Sequence, residues 1–407
     1  MVRYHASWIV PIADAPIRDG WITTDAGRIT ACGGPGDRAP LDADGRVVDL
    51  GSVAILPGLV NAHTHLELSY LRDAVPPAST FVSWVRRVLA LRRQWPDPHA
   101  QPILDGIDRA IAESMACGTA LVGDISNTLV PFEALARSPL AAVLFYELIR
   151  FNASDPIGMV SEAVRDIVAL GSAPRVRVSL AAHAPYSVSP RVFQAIRHAL
   201  DQVPSAPCSV HVSESVEEIE FLRSGGGPWR ALLEELGVWD PTWTPPGGSP
   251  VAFLADAGFL KGRVLAVHGV QMTSADLARV AASGATLVTC PRSNGHTGAG
   301  APPLKHFYRS GVSIAIGTDS LASAPDLNVF AELATMRALA PSVPATALLA
   351  SATREGARAL GFDADYGTIE PGKLARLIAV EVPSSASDVE EYLVSGIEPA
   401  QIRWIEA

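Results

Sequence analysis

Eight short apolar runs recur along this chain, and the stretches between them carry apolar residues at helical spacing. The runs are ILPGLVNAH (55–63), TALVGDIS (119–126), AAVLFYELIR (141–150), VRVSLAAHA (176–184), CSVHVSE (208–214), VLAVHGV (264–270), TLVTCPRSN (286–294) and SIAIGTDS (313–320). Continuous apolar strands alternating with helices imply a parallel sheet covered on both faces, and eight such units imply an α/β fold, a (β/α)8 TIM-like barrel. The segment PILDGIDRAIAESMACG is one such helix, with Gly118 placed to stop it.

Residues 1–54 and 362–407 have a different rhythm. The first segment holds short alternating runs broken by turns such as Arg18-Asp19-Gly20, and the last returns to strand pattern in YGTIEPGKLARLIAVEV. A small β-sandwich built from both termini is expected, flanking a barrel over 55–361. With 407 residues, 48% hydrophobic and 18% charged, the chain can bury a core of that size.

Four run ends carry His63 with His65, His211, His268 and Asp319. Residues i and i+2 of a strand share a face, so His63 and His65 can reach one ion. Barrels of this kind keep their active sites at the C-terminal ends of the strands. Each residue alone has an ordinary alternative. His211 could be a hydrogen-bonded core histidine, His268 a donor to a carbonyl and Asp319 a helix cap. Glu214 could complement a helix dipole beside the capping box spaced from Ser215 to Glu218. Coincidence is a poor account of all of them together. A mononuclear centre is expected, with His63, His65, His211 and Asp319 holding one Zn²⁺ per subunit, Fe²⁺ being the alternative. Such an ion lowers the pKa of water to about 7. Asp319 could take the water's proton, His268 orient the oxygen and Glu214 pass a proton to substrate.

Other chemistries are excluded by residue type. The fourth run has His183 and no lysine, and Lys261, Lys305 and Lys373 lie elsewhere, so a lysine-bridged pair of metals is not expected. Cys32, Cys117, Cys208 and Cys290 show no CxxC spacing, which argues against a thiolate zinc site and a disulfide framework. The net charge of -10 offers no basic patch for nucleic acid. No apolar run approaches about 20 residues and the start lacks an export signal, so a soluble cytoplasmic protein acting on a small molecule is expected, with no membrane partner. The Pro/Gly-rich stretch 224–250, with Trp229, Trp239 and Trp243, would either cover a pocket or anchor a loop.

The strings PGLVNAHTHLELS, HAPYSVSP, HVSESVEEIEFLRSG, VHGVQMTSADLARVAASGATLVTCPRSN and IGTDSLASAPDLNVFAEL resemble the amidohydrolase superfamily, in the branch of adenosine, guanine and related aminohydrolases. Within it, HTHLELS followed by FVSWVRRV is similar to aminodeoxyfutalosine deaminases of the futalosine route to menaquinone. The resemblance implies the same ligands and the same roles for Glu214, His268 and Asp319 in replacing an adenine 6-amino group by oxygen. It also puts Glu67 and Trp84 near the pocket, where the ordinary alternatives are a surface carboxylate and a core aromatic. Arg150 and His183, ending runs three and four, are candidates for ribose or carboxylate recognition, and Arg150 is first choice for a benzoate. Ser293 and Asn294, after run seven, fall in the pocket or in a turn. Arg376 stands where relatives usually have Asp. Dimers are frequent in the superfamily, which raises a homodimer as an expectation, although no stretch marks an interface. Alternatives are deamination of S-adenosylhomocysteine, methylthioadenosine or adenosine, dechlorination of a triazine, and a catalytically silent binding protein. The last is disfavoured because all six site groups are present.

Overall fold

The computed structural model describes residues 1–38 and 45–406. Residues 39–44, inside the expected N-terminal segment, and residue 407 lie outside the described residues. The strands in chain order begin with β1 (Val2–Ile9), β2 (Ile17–Asp25), β3 (Arg28–Gly33), β4 (Arg46–Asp49) and β5 (Val53–Pro57). Then come β6 (Leu59–Thr64), β7 (Thr119–Ser126), β8 (Ala141–Leu148), β9 (Val176–Ala182), β10 (Cys208–Val212), β11 (Val264–His268), β12 (Thr286–Thr289) and β13 (Ser313–Ile316). The last two are β14 (Leu377–Glu381) and β15 (Ile402–Trp404).

Strands β6 to β13 lie side by side in sequence order and all run parallel, one strand for each of the eight apolar runs. Alternation explains why the runs are apolar throughout. In β11, Val264 and Ala266 pack outward in the cluster that contains the helices, while Leu265 and Val267 join Val143, Phe145 and Val288 in an inner cluster. Both faces are therefore buried. The expected helix stop is present: the helix Gln101–Ala116 is followed by Gly118 at φ +79°.

The barrel seam between β13 and β6 is closed mainly by side chains. Asn61 donates to Thr318 Oγ1 at 2.7 Å and accepts from the Thr318 backbone at 3.1 Å, and the Asp319 amide donates to the His63 carbonyl at 3.0 Å. Gly317 permits the approach, since a Cβ there would lie 2.7 Å from both the Cβ and the carbonyl oxygen of His63.

The terminal segments form one seven-stranded mixed sheet, ordered β15-β14-β5-β1-β2-β3, with β4 also pairing with β1. Run one is divided at Gly58: Val53–Pro57 pairs with β1 and β14, and only Leu59–Thr64 belongs to the barrel. Run seven ends at Thr289, because Pro291 opens a helix, Pro291–Thr297, at a position where a missing N–H costs nothing. Arg376 lies where sheet meets barrel, its guanidinium 4.5 Å over the Trp404 ring and its carbonyl accepting from Gly58 at 2.8 Å. Among the described residues no helix is long and apolar enough to cross a membrane.

Candidate metal centre and cavity

The six expected ligand and catalytic residues meet at the C-terminal end of the barrel. His63 lies on β6 and His65 just past it, yet their Nε2 atoms come within 3.2 Å. Asp319, beyond β13, places Oδ1 3.4 Å from His65 Nε2 and 3.7 Å from His63 Nε2. Bonds of ~2.1 Å to a tetrahedral ion put ligand atoms ~3.4 Å apart. These three donors fit that spacing. His211 on β10 donates from Nδ1 to the His183 carbonyl at 2.9 Å, which leaves Nε2 to join them, and its ring centroid is 4.9 Å from that of His63. Three imidazoles and one carboxylate form a donor set suited to Zn²⁺. Burial keeps the rings neutral, as metal binding requires: His63 is held well below the usual histidine range, His65 is lowered to about 3 and His211 to about 4.

His268 closes β11 with Nε2 3.6 Å from Glu214 Oε2, and its Nδ1 lies 3.1 Å from the Asn294 side-chain nitrogen. Burial, then the nearby carboxylates of Asp319, Glu218 and Glu217, push the Glu214 carboxyl well above its usual range, which favours the proton-carrying form. Half of the expected capping box is present, since Ser215 Oγ accepts from the Glu218 amide at 3.3 Å. The Glu218 carboxylate instead accepts from the Glu214 amide at 2.9 Å, and so pins the Glu214 backbone. Ser213, His268 and Asp319 have φ of +53°, +76° and +61°. Such backbone is strained in residues with a side chain and tends to gather at functional sites.

Above these groups lies a cavity of about 270 Å³, near the lower end of the range of about 300–1,000 Å³ for ligand pockets. Its floor includes His65, His211, Glu214, His268 and Asp319, and Trp84, Arg150 and His183 also line it. Arg150 is exposed at the mouth, and its side chain makes no hydrogen bond or ion pair among the described residues. The tryptophans of 224–250 divide their work. Trp229 lines the cavity and stacks on Tyr186 with centroids 3.7 Å apart, while Trp239 and Trp243 pack on Phe151 and Phe221. A larger groove of about 920 Å³ runs between the helices Pro156–Ala169 and Pro190–Asp201 on the barrel's outer surface. None of the clusters of metal-ligating groups found among the described residues lies in it.

Three expected substrate contacts lie elsewhere. Glu67 is buried outside this cavity, with both oxygens engaged by Arg92, Ser126, Thr128 and the Asn127 amide. Ser293 and Asn294 are fully buried behind the site, Ser293 donating to Asp319 Oδ2 at 2.6 Å and Asn294 supporting His268. The helix begun by Pro291 carries both side chains beneath the histidine and aspartate cluster. Sequence reasoning missed Glu147 and Asn127. Glu147 is the one acidic residue inside run three, and a carboxylate within a buried strand is the signal that could have found it.

A model of the Amidohydrolase family matches residues 54–398. An aminodeoxyfutalosine deaminase from Deinococcus radiodurans is 33% identical over 325 residues, which cover 75% of this chain and 73% of that protein. A 5-methylthioadenosine/S-adenosylhomocysteine deaminase from Moorella thermoacetica is 30% identical over 409 residues, covering 95% of this chain and 88% of its own. An adenosine deaminase from Xanthomonas campestris, solved with zinc bound, superposes with a TM-score of 0.82 at 27% identity, over 98% of this chain and 90% of its own.

Proposed function

Because this chain belongs to the amidohydrolase family and is a hydrolytic deaminase of adenosine-type nucleosides, we propose that it acts on 6-amino-6-deoxyfutalosine on the route to menaquinone. The observation that carries the choice is Arg150, an unpaired cation at the mouth of a cavity walled by Trp84, Trp229 and Tyr186. A benzoate offers an aromatic face to such a wall and a carboxylate to the guanidinium. The Deinococcus radiodurans relative supports the same reading.

His63, His65, His211 and Asp319 would hold one Zn²⁺, which when bound lowers the pKa of water to about 7. Asp319 takes the proton of the attacking water. Glu214 gives its carboxyl proton to the ring nitrogen beside the amino-bearing carbon as the oxygen adds there. His268, steadied by Asn294, orients that oxygen. The proton on Asp319 then goes to the departing amino group, which leaves as ammonia, and the second proton of the attacking water passes to Glu214 as the carbonyl forms, restoring its carboxyl. His183, on the cavity wall, would meet the ribose. The substrate is a free nucleoside in the cytoplasm.

A second reading, deamination of methylthioadenosine or S-adenosylhomocysteine, has the Moorella thermoacetica relative in its favour. Ammonia release and ultraviolet change with zinc-loaded protein separate the two. Turnover of aminodeoxyfutalosine well above that of adenosine, methylthioadenosine and S-adenosylhomocysteine is expected. Preference for either sulfur nucleoside would overturn the substrate assignment and leave the deaminase.

A further inference from the structure

Glu147, next to last in β8, is buried beside the ligand cluster, and its two carboxylate oxygens are placed differently. Oε2 accepts from Asn127 Nδ2 at 2.8 Å. Oε1 is closed off from solvent and receives no hydrogen bond, and it faces His211 Nδ1 at 3.4 Å. The same Nδ1 lies 2.9 Å from the His183 carbonyl. Two acceptors thus converge on one ring nitrogen. An oxygen with no room for water beside it cannot take a substrate hydroxyl without rearrangement, so its field falls on the imidazole.

Building on the metal reading of the site, we infer that Glu147 is a positioning residue that, with the His183 carbonyl, holds the proton on His211 Nδ1 and thereby aims Nε2 at the metal. Its negative charge strengthens the ring as a donor. Asn127 clamps Glu147 from behind and is clamped in turn. Arg92 donates to Asn127 Oδ1 at 3.0 Å, and the Asn127 amide donates to Glu67 Oε1 at 3.0 Å. Glu67, expected to touch substrate, therefore lies at the far end of a hydrogen-bonded line that runs through Asn127 to Glu147, whose other oxygen faces a ligand histidine.

The test is metal affinity by chelator competition, together with the visible absorption of the Co²⁺-loaded protein. Glu147→Gln is expected to weaken metal binding about 10- to 100-fold, the usual effect of losing such a partner, and to shift the Co²⁺ bands, with Glu147→Asp recovering part of both. Asn127→Ala, which leaves the carboxylate but frees it, is expected to move both readouts the same way by less, and it carries the test should Glu147→Gln not fold. Wild-type affinity and spectrum in a folded Glu147→Gln protein would overturn the inference. So would a raised KM with metal affinity intact, which would make Glu147 a substrate contact. A wild-type protein that binds no metal would instead sink the metal reading itself.

Discussion

Ser293 Oγ donates to Asp319 Oδ2 at 2.6 Å, the carboxylate oxygen that does not face the histidines. With the Ser320 amide at 2.8 Å from Oδ1, it fixes the plane of a group proposed both to bind metal and to carry a proton. Ser293→Ala should lower kcat by about 10- to 100-fold, as loss of an outer partner of a ligand usually does, with KM nearly unchanged. Steady-state kinetics decides. A raised KM at constant kcat would return Ser293 to the substrate side of the site.

Glu214→Gln should keep its metal and lose about 10²- to 10⁴-fold in kcat, the usual contribution of a positioned acid or base. Metal content and turnover measured on one preparation test this. A variant as fast as the parent would remove Glu214 from the proton path.

Stripping the metal with a chelator should abolish turnover, and Zn²⁺ should restore it. It should also lower thermal stability, because a ligand present at about 100 times its Kd adds about 2.7 kcal/mol to the folded state. His63→Ala should abolish that gain along with activity. A metal-free protein that still turns over at the full rate would contradict the whole arrangement.

Arg150→Met should cut kcat/KM on the benzoate-bearing nucleoside more than on adenosine. A hydrogen bond to a charged group is worth about 1.5–3 kcal/mol, and about 1.4 kcal/mol is tenfold, so discrimination should shrink roughly 10- to 100-fold. Equal losses on both substrates would show that Arg150 does not read the tail.

Gly317→Ala should destabilise the fold by about 1–3 kcal/mol, the usual cost of overpacking, because the new methyl would sit 2.7 Å from His63. Denaturant unfolding measures it. Unchanged stability would mean that the seam between β13 and β6 has slack.

The eight strands were legible because burial on two faces leaves an unbroken apolar signature, as in the fully buried CSVHV and VLAVH. His63, His65, His211 and Asp319 were legible as polar groups where those runs stop. What could not be read was the direction of side chains beyond the stops. A left-handed backbone at Ser213, His268 and Asp319 re-aims the chain, and no hydrophobic period reports it. Glu67, only two residues past His65, is turned away to Arg92 and Ser126, and Ser293 and Asn294 are carried under the floor by a helix. Glu147 escaped notice because it sits inside an apolar run, and its partner Asn127 comes from the loop after a different strand.

The interleaving of the terminal sheet sets the order in which the protein can be completed during synthesis. β5 pairs with β1 on one side and with β14 on the other, and 319 residues (376 − 57) separate Pro57 from Leu377. At roughly 5–20 residues per second, one edge of β5 waits on the order of 16 to 64 s for its neighbour to leave the ribosome. VAILP has no charge to discourage a wrong strand from docking there. The nascent chain therefore carries an open, apolar edge through the whole time the barrel is being made, and the late strand that protects it is also what ties the two ends of the polypeptide together.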